Sequence, residues 1–480
     1  MTETAGADAT AALQRHDALI VGLERTGALG QPAGRIERID THISTVLLAG
    51  DYAYKFKKPV VLPFVDYGTV DRRRACCEAE LRLNRRYAPD TYLAVVAFDG
   101  EPAVQMRRFV EADRLDHVCA RGELTPEHLA DLARRLAAFQ AEAAVAEPSQ
   151  RFGEPAQVLA PALENFEELE RLLPDEAERL ARLKAWTQAE HAARWAAFAH
   201  RKAAGRVREC HGDLHLGNLV LLDGRPTPFD CIEFNEDFRW IDVAAEIAFT
   251  WIDLLDHGQP GLAAWFLNEW LLWSGDYDAL TVLRFYAAYR AVVRAKVAAI
   301  QGNEAEAAEY LGMAETLTVP PPANLTITFG LSGSGKTTAA KAALLADAHA
   351  ATIRLRADVE RKRLFGLAPD AASGGSIYGP EATVRTYGRL YDLAENLLAD
   401  RWPVLVDAAF LKRAERDDFR ALAAQLGVPF AILACEAPIE ELRRRLRART
   451  GDASEATVAV LEQQGQWVQP LGEDERGLAA

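Results

Sequence analysis

The sequence predicts a two-lobed α+β domain followed by an α/β domain with a mostly parallel sheet. Short segments of alternating hydrophobicity come before long helical segments in the first part of the chain. A proline-rich segment at 319–324 then interrupts the pattern. Immediately afterwards, an apolar strand at 325–329 leads into a glycine-rich turn and a helix.

Length and composition indicate a protein with more than one domain. At 480 residues the chain exceeds the usual size of a single hydrophobic core, so two or three domains are expected. Hydrophobic residues make up 49% and charged residues 26%, as in soluble globular proteins. No run approaches the roughly 18 apolar residues of a membrane span, so we expect no membrane partner.

The N-terminus and the cysteines predict a cytoplasmic location. Residues 1–15 lack the basic and apolar regions of a signal peptide, and we expect a frayed tail there. The six cysteines form neither a C-x-x-C pair nor a Cys/His cluster. That usage fits a reducing compartment.

The net charge argues against nucleic acid as a partner. Of the total of −15, residues 1–322 carry −14 and residues 323–480 carry −1. Proteins that bind long polyanions usually present a basic face. The first domain therefore lacks the charge that such a substrate requires.

The proline-rich segment marks the main predicted domain boundary. Three consecutive prolines cannot continue a helix, and they form a stiff spacer. We predict an N-terminal helical extension, a first domain, a linker and a second domain, at 1–34, 35–318, 319–324 and 325–480.

The first domain divides into a small sheet-rich lobe and a larger helical lobe. Residues 43–60 alternate around a predicted hairpin at Gly50-Asp51. A helix, an apolar strand and a further short strand are predicted at 71–87, 92–98 and 105–109. Long helices follow at about 125–147, 161–203 and 241–300. This order is typical of a bilobal kinase with its nucleotide between the lobes.

The chemistry of the first domain is concentrated in the loop His211-Gly212-Asp213-Leu214-His215-Leu216-Gly217-Asn218. The interval from Asp213 to Asn218, D-x-x-x-x-N, is found in kinase catalytic loops. It allows Asp213 to accept the proton of an acceptor hydroxyl while the amide oxygen of Asn218 binds magnesium. Asp230, expected on an apolar strand at 227–232, supplies the second metal ligand.

Two other interpretations of this loop remain open. His211, Asp213 and His215 alternate along the chain and could bind a metal ion together, although this leaves Asn218 and Asp230 unexplained. The domain could also be an inactive relative of a kinase, because a fold does not ensure activity.

The loop resembles the catalytic loop of the aminoglycoside phosphotransferase and choline kinase superfamily, where a glycine, here Gly212, replaces the arginine of protein kinases. Asp230 is similar to the metal-binding aspartate, and Asp242 to a structural partner of the loop. The resemblance covers about 35–300 and implies an α+β bilobal protein-kinase-like domain. It also implies ATP, Mg²⁺ and a small-molecule acceptor with a hydroxyl group.

A kinase also needs a lysine for the nucleotide phosphates and a glutamate to orient it. Lys55 and Lys57 lie on the same face of one strand, and its central position favours Lys55. On the following helix, Glu80 shares the face of the apolar residues, whereas Glu78 points away. No glycine-rich nucleotide loop precedes the strand.

The second domain begins with one of the strongest short signals for a nucleotide site. The sequence G-x-x-x-x-G-K-T follows the apolar strand 325–329. Its glycines let backbone N–H groups face the phosphates, aided by the N-terminus of the next helix. The predicted nucleotide-binding residues are Gly330, Ser332, Gly333, Ser334, Gly335, Lys336, Thr337 and Thr338, with Thr337 also on magnesium.

The segments after this loop resemble those of P-loop kinases such as polynucleotide kinases, chloramphenicol phosphotransferase and zeta toxins. Asp358 and Arg361 follow the strand 351–355 and are similar to the pair that binds the acceptor. The resemblance implies that Asp358 is the general base and that Arg361 holds an acidic group. Asp407 ends a third strand and resembles a Walker-B-type aspartate near magnesium.

An arginine-rich helix at 440–449 corresponds to the position of the lid in such kinases. Most of its arginines are expected to be solvated. Arg443 and Arg447 share one helix face and are the lid candidates, with Arg449 as a further possibility.

Together these features predict a bifunctional, ATP-dependent phosphotransferase that acts on a small-molecule hydroxyl and carries a C-terminal P-loop NTPase domain of the kinase type. The arrangement resembles bacterial proteins described as bifunctional aminoglycoside phosphotransferase/ATP-binding proteins. The alternatives are a nucleic-acid or nucleoside 5'-hydroxyl kinase, or a P-loop nucleotide sensor that regulates the first domain. A GTPase is disfavoured because no N-K-x-D motif is present, and an AAA+ motor because residues 323–480 leave no room for its helical subdomain. Since both ligand sets are complete, residues 323–480 should fold and bind nucleotide alone.

Overall fold

The computed structural model of the protein describes residues 2–29, 35–62, 65–374, 377–448 and 454–478, with side chains from residue 10 onward. This part of the chain divides into two compact units. The first unit comprises Met1–Leu124, Ala143–Gln157 and Phe198–Thr250. The second comprises Thr125–Glu142, Val158–Ala197 and Trp251–Ala480.

The secondary structure alternates between sheet-rich and helical stretches. The strands are β1 (Glu37–Asp40), β2 (Ser44–Ala49), β3 (Tyr52–Lys57), β4 (Val61–Leu62), β5 (Val65–Asp66), β6 (Tyr92–Phe98), β7 (Glu101–Arg107), β8 (Val207–Glu209), β9 (Leu219–Leu222), β10 (Arg225–Pro228), β11 (Trp240–Asp242), β12 (Leu325–Phe329), β13 (Ile353–Arg356), β14 (Val404–Asp407) and β15 (Phe430–Ala434). The helices are α1 (Thr2–Thr26), α2 (Val70–Arg85), α3 (Leu115–Ala120), α4 (Pro126–Glu142), α5 (Pro155–Leu172), α6 (Ala177–Ala193), α7 (Trp195–Ala203), α8 (Glu236–Arg239), α9 (Val243–Asp256), α10 (Pro260–Ser274), α11 (Leu280–Ile300), α12 (Glu304–Thr318), α13 (Lys336–Leu345), α14 (Ala357–Leu364), α15 (Pro380–Ala399), α16 (Arg413–Leu426), α17 (Ile439–Ala448), α18 (Val458–Trp467) and α19 (Glu473–Arg476). In the described ranges, no helix combines the length and the apolar character needed to cross a membrane.

The first unit is built on a five-stranded antiparallel sheet in the order β1-β2-β3-β7-β6. Strands β2 and β3 form the predicted hairpin, in which Val46 pairs with Lys55. Helix α2 packs against β6 and β7. The sheet thereby places the central residue of β3 opposite the buried face of α2.

The N-terminal segment differs from the expected frayed tail, because α1 begins at Thr2. Ile20 and Leu23 of this helix are buried in one apolar cluster with Leu47 and Phe56 of the sheet. Burial of these side chains anchors the C-terminal half of the helix.

The long helix expected at 161–203 is instead three helices, α5, α6 and α7. Pro174 begins a short 3₁₀ turn directly after α5. Proline has no N–H group to continue the preceding helix, so the helix ends there.

The second unit contains a four-stranded sheet in the order β13-β14-β12-β15. All three strand pairs are parallel, which confirms the predicted α/β class. The carboxyl ends of parallel strands meet at one edge of the sheet, and the glycine-rich turn between β12 and α13 lies at that edge.

Helices that precede the proline-rich segment belong to the same unit as this sheet. The guanidinium of Arg284 on α11 lies 3.9 Å from the ring centroid of Trp402. Trp251 on α9 lies 6.5 Å from the same ring. These contacts revise the expectation that residues 323–480 fold alone, because that fragment would expose the otherwise fully buried Trp402.

A buried ion pair in the first unit provides a test of its stability. Arg201 on α7 donates to both carboxylate oxygens of Asp242 at 2.7 Å, and both side chains are almost fully buried. We expect Arg201→Ala to lower the free energy of unfolding by about 3–5 kcal/mol, because it leaves Asp242 buried without its partner. Chemical denaturation measures the loss.

The matched control is Arg151→Ala, which removes an exposed pair with Asp237. Exposed pairs contribute about 0–1 kcal/mol, so this change should be nearly neutral. Equal losses in the two variants would contradict the assignment of a structural role to Arg201.

Candidate active sites

The first site begins where β3 faces α2. Lys55 Nζ lies 3.0 Å from Glu80 Oε1, and it also contacts Asp230. Lys57, only 1% exposed, contacts the other oxygen of Glu80 and a carboxylate oxygen of Glu233. Burial alone would lower the pKa of Lys55, but the charges of Asp230 and Glu80 outweigh it and raise that pKa. Of the two lysines, Lys55 is therefore the one beside Asp230.

Asp230 itself lies beyond the strand on which it was predicted. Strand β10 ends at Pro228, and Asp230 adopts the left-handed region with φ 64°. A non-glycine residue in that region is strained by about 1–3 kcal/mol. Adjacent hydrogen bonds fix the turn: the Asp230 N–H donates to the Tyr92 hydroxyl at 3.0 Å, and the Cys231 N–H donates to Asn84 Oδ1 at 3.0 Å.

The electrostatics of Asp230 favour its charged form. Partial burial would raise the pKa of Asp230, but the positive charges of Lys55 and Lys57 more than compensate and lower that pKa below its ordinary value. Asp230 is therefore a carboxylate near neutral pH.

Asp213 and Asn218 are brought together by a short 3₁₀ turn at Leu216–Asn218. Asn218 Nδ2 donates to Asp213 Oδ2 and to the Asp213 carbonyl, both at 3.0 Å. His215 Nδ1 accepts from the Gly217 N–H at 3.1 Å, which caps the turn. The side chains of Asp213 and Asn218 are thus held together by direct hydrogen bonds within the loop.

His211 and a missed residue, Glu246, shape the start of this loop. His211 is fully buried with Nε2 2.8 Å from the Phe229 carbonyl, and burial lowers its pKa to about 4. It is neutral at pH 7. Glu246 Oε2 on α9 accepts from the N–H groups of His211 and Gly212 at 2.8 and 3.2 Å.

Glu246, rather than Asp242, is thus the acidic residue that supports the loop backbone. Asp242 was expected in that role, but it pairs with Arg201 and accepts from the Ala244 N–H.

The residues of this site fit a magnesium ion. The Asp230 side chain is 41% exposed. The amide nitrogen of Asn218 donates to Asp213, while its Oδ1 receives no donor among the described residues. Carboxylate and amide oxygens are the ligands that magnesium prefers in proteins.

The second site is centred on the glycine-rich loop between β12 and α13. Gly330 has φ 149°, and an added Cβ there would lie 2.2 Å from the Cys435 carbonyl oxygen. Lys336 Nζ donates to the carbonyls of Gly330 and Leu331 at 2.8 and 2.9 Å. The Ser334 hydroxyl is buried without a hydrogen-bond partner in the described part of the chain. Such an orphaned hydroxyl fits a loop that binds a polar ligand.

A cavity of about 1210 Å³ opens in front of this loop. The predicted residues that line it are Ser332, Gly333, Ser334, Gly335, Lys336, Thr337, Thr338, Asp358, Arg361 and Asp407. These residues, predicted separately from the sequence, therefore line one cavity.

Asp407 is paired with an arginine that the sequence analysis missed. Arg354 Nε lies 3.1 Å from Asp407 Oδ2, and both side chains are buried. Burial would raise the pKa of Asp407, but the charge of Arg354 outweighs it and lowers that pKa.

Arg361, which lines the same cavity, is 8% exposed. Its Nη1 donates to the Ile377 carbonyl at 3.2 Å, and its guanidinium lies 5.1 Å from the ring centroid of Tyr378. Its Nε has no partner within the described residues. Arg361 thus keeps a buried donor without a partner in the described ranges, and Asp358 lines the same cavity.

The arginine beside the glycine-rich loop is Arg445, not Arg443 or Arg447. Arg445 lines the cavity, and its Nη1 donates to the Gly333 carbonyl at 3.3 Å. Arg443 pairs with Glu440 and Glu462, and Arg447 is exposed.

The packing of α17 explains this difference. Its apolar face is formed by Leu442 and Leu446, which are buried in one cluster with Leu461. That face fixes the rotation of the helix and directs the neighbouring Arg445 to the loop. Arg449 lies outside the described residues.

Comparisons with known proteins found a family model for each of two segments of the chain. Residues 70–286 match the family model of the phosphotransferase enzyme family, and residues 325–471 match a model for an AAA domain. Proteins of Mycobacterium tuberculosis (strain H37Rv) and Mycobacterium bovis, both named as uncharacterized proteins, are 30% identical over 443 residues, covering 88% of this chain and 88% of each relative. The chain belongs to the family of these mycobacterial proteins. It is a phosphotransferase of the kinase type.

We call the predicted first domain, which contains the match at 70–286, the phosphotransferase domain, and residues 325–471 the P-loop domain. The predicted fold, a protein-kinase-like domain followed by a P-loop domain, is confirmed by these matches and by the parallel sheet. The AAA match covers a segment of the size already assigned to the P-loop domain and adds no helical subdomain.

Two solved structures show low similarity to the chain. The GDP complex of an aminoglycoside 2'-phosphotransferase is 15% identical and covers 64% of this chain and 98% of its own, with a TM-score of 0.40. Choline kinase from Cryptosporidium parvum is 11% identical and covers 63% of this chain and 95% of its own, with a TM-score of 0.43.

Two residues missed by sequence reasoning differ in the signal they carry. Glu246 is the only charged residue among Val243–Thr250 of α9. A lone charge in such an apolar segment must find a buried partner, although the pattern does not reveal which one. Arg354 shares the short strand β13 with Arg356, so no lone charge marks it.

Gly212 of the phosphotransferase domain offers a test of the loop conformation. It has φ 93°, and an added Cβ would lie 2.6 Å from the Phe238 carbonyl oxygen. We expect Gly212→Ala to lower the free energy of unfolding by more than the roughly 1–2 kcal/mol that a left-handed alanine costs.

The control is Gly224→Ala, with φ 74° and no atom within 4 Å of the added Cβ. It should show the conformational cost alone. Thermal or chemical denaturation of both variants measures the difference, and equal losses would contradict the close approach at Gly212.

Proposed function

We propose that the protein transfers the γ-phosphoryl group of ATP to a hydroxyl of a small molecule in the phosphotransferase domain. The observation that carries this proposal is a set of contacts within two groups of residues. Lys55 contacts Glu80 and Asp230, while Asp213 and Asn218 contact each other on one loop. A phosphate-binding lysine, a metal carboxylate and a general base are the parts that phosphoryl transfer requires.

Each residue has a proposed role. Lys55 binds the nucleotide phosphates, and Glu80 orients it. Asp230 and Asn218 hold magnesium, which when bound neutralises charge on the phosphates. Asp213, whose side chain is 37% exposed, accepts the proton of the acceptor hydroxyl. His211 is buried and neutral, which supports a structural role.

In the P-loop domain we propose a second nucleotide site with kinase activity. Lys336 and Thr337 bind the phosphates and magnesium, with Asp407 as a further carboxylate near the metal. Asp358 and Arg361 line the same cavity as Lys336, which favours a kinase over a nucleotide sensor. Arg445 replaces Arg443 and Arg447 as the lid candidate because it donates to the loop.

The proposed acceptors are small molecules rather than nucleic acid, given the net charge of −15. All six cysteines are free, which supports the proposed cytoplasmic location.

Asp213→Asn tests the phosphotransferase site. It should lower transfer to an acceptor by about 10²–10⁴-fold, since it removes the general base, while nucleotide binding stays nearly intact. ATP consumption with sugars, amino alcohols, nucleosides and aminoglycosides as acceptors measures the rate. The matched control is Asp223→Asn, an exposed residue of the β9–β10 turn, which should not change it. Full activity of Asp213→Asn would contradict the proposed role of this loop.

Lys336→Ala tests the second site in the full chain. It deletes the charge on the phosphates, so calorimetric titration with Mg-ATP should fall from two sites to one. Lys341→Ala, on the same helix but paired with Glu127 on the surface, should retain both sites. If Lys336→Ala abolished all binding, the phosphotransferase domain would not bind nucleotide, and the two-site proposal would be wrong. Asp358→Asn should keep both sites and stop any transfer that depends on Lys336.

A further inference from the structure

Helix α10 contacts the parallel sheet through one side-chain amide. Asn268 Nδ2 donates to the Thr352 carbonyl at 2.8 Å, and the Arg354 N–H donates to Asn268 Oδ1 at 2.6 Å. These two groups flank Ile353 on β13, which is an edge strand of the sheet. A neighbouring parallel strand would bond to the same two groups. The Asn268 amide therefore satisfies the edge of β13 as a peptide unit would.

The residue held in this way also reaches the nucleotide site. The guanidinium of Arg354 donates to Asp407 Oδ2, with Nε at 3.1 Å. Asp407 lines the cavity together with Lys336. Arg354 thus joins α10 through its backbone to Asp407 through its side chain.

Other contacts fix the approach of α10. An added Cβ at Gly261 would lie 2.0 Å from the carbonyl oxygen of Leu345, at the end of the helix that follows the glycine-rich loop. Glu269, next to Asn268, lines a small cavity with Arg354 and Arg356. Two elements of the nucleotide site, α13 and β13, therefore pack on one helix of the phosphotransferase domain.

We infer that α10 contributes to the P-loop nucleotide site and that Asn268 is the positioning residue that holds Arg354 in contact with Asp407. This inference rests on the proposed nucleotide binding by the P-loop domain. Without Asn268, the Thr352 carbonyl and the Arg354 N–H lose their partners, and the end of β13 is free to move. Asp407 then loses the fixed cation that orients its carboxylate. Affinity for Mg-nucleotide in the P-loop domain thus depends on a residue of the other domain.

The test uses the full chain carrying Asn268→Leu, with calorimetric titration of Mg-ATP. We expect the Lys336-dependent binding to weaken by about fivefold or more, the lower range of typical coupling between sites. Binding at the site of Lys55 and Asp230 should keep its affinity, which reports an intact fold. The matched control is Asn165→Leu on α5, an equally buried asparagine whose amide nitrogen has no partner among the described residues.

A double-mutant cycle distinguishes positioning from general stability. Arg354→Met should weaken the Lys336-dependent binding, and adding Asn268→Leu should weaken it by less than the product of the single effects. Wild-type affinity in Asn268→Leu, or loss of binding at both sites together, overturns the positioning role. Absence of any Lys336-dependent binding in the wild type would overturn the proposed function first, before any change at Asn268.

Discussion

The first site depends on the contacts made by one fully buried carboxylate, that of Glu80. Its two oxygens contact Lys55 and Lys57, and no part of the residue is exposed to water. A buried charge is tolerated only when it is paired and hydrogen-bonded, because its desolvation is otherwise too unfavourable. The position of α2 relative to β3 is therefore fixed by this pairing. As a consequence, Lys55 reaches Asp230, while Lys57 reaches Glu233.

The two sites differ in how their proposed metal carboxylates are held. Asp230 is 41% exposed and contacts Lys55, which is 13% exposed. Asp407 is 6% exposed and contacts Arg354, which is 4% exposed. Lysine is a compact charge on a flexible stem, whereas the arginine fork binds a carboxylate in a fixed orientation. The first carboxylate is therefore partly open to water, whereas the second is buried together with its partner.

Much of this arrangement could be predicted because it is encoded locally. The turn between β2 and β3, the strand before the glycine-rich loop and the sequence from Asp213 to Asn218 all depend on residues that are close in the chain. The face of α2 that carries Glu80 followed from helical periodicity. These features require no knowledge of distant contacts.

The remaining features depend on tertiary contacts and could not be read from local pattern. The left-handed turn at Asp230 is held by Tyr92 and Asn84, which are far from it in sequence. The rotation of α17 depends on packing against Leu461, so helical spacing alone could not show that Arg445 is the arginine that contacts the glycine-rich loop. The boundary at the proline-rich segment likewise gave no sign that α10 and α11 pack with the parallel sheet.

The position of α10 has a consequence for how the chain is organised. Edge strands with unpaired backbone groups are a liability, and proteins usually cover or pair them. In this protein the edge of β13 is covered by Asn268, which lies within the residues matched by the phosphotransferase model. A P-loop domain separated from that helix would present bare backbone groups at Thr352 and Arg354. The strand that carries Arg354 would then be held only by its pairing with β14. Covering this edge from within the same chain links the stability of the P-loop domain to α10, and α10 and the parallel sheet accordingly lie in one compact unit.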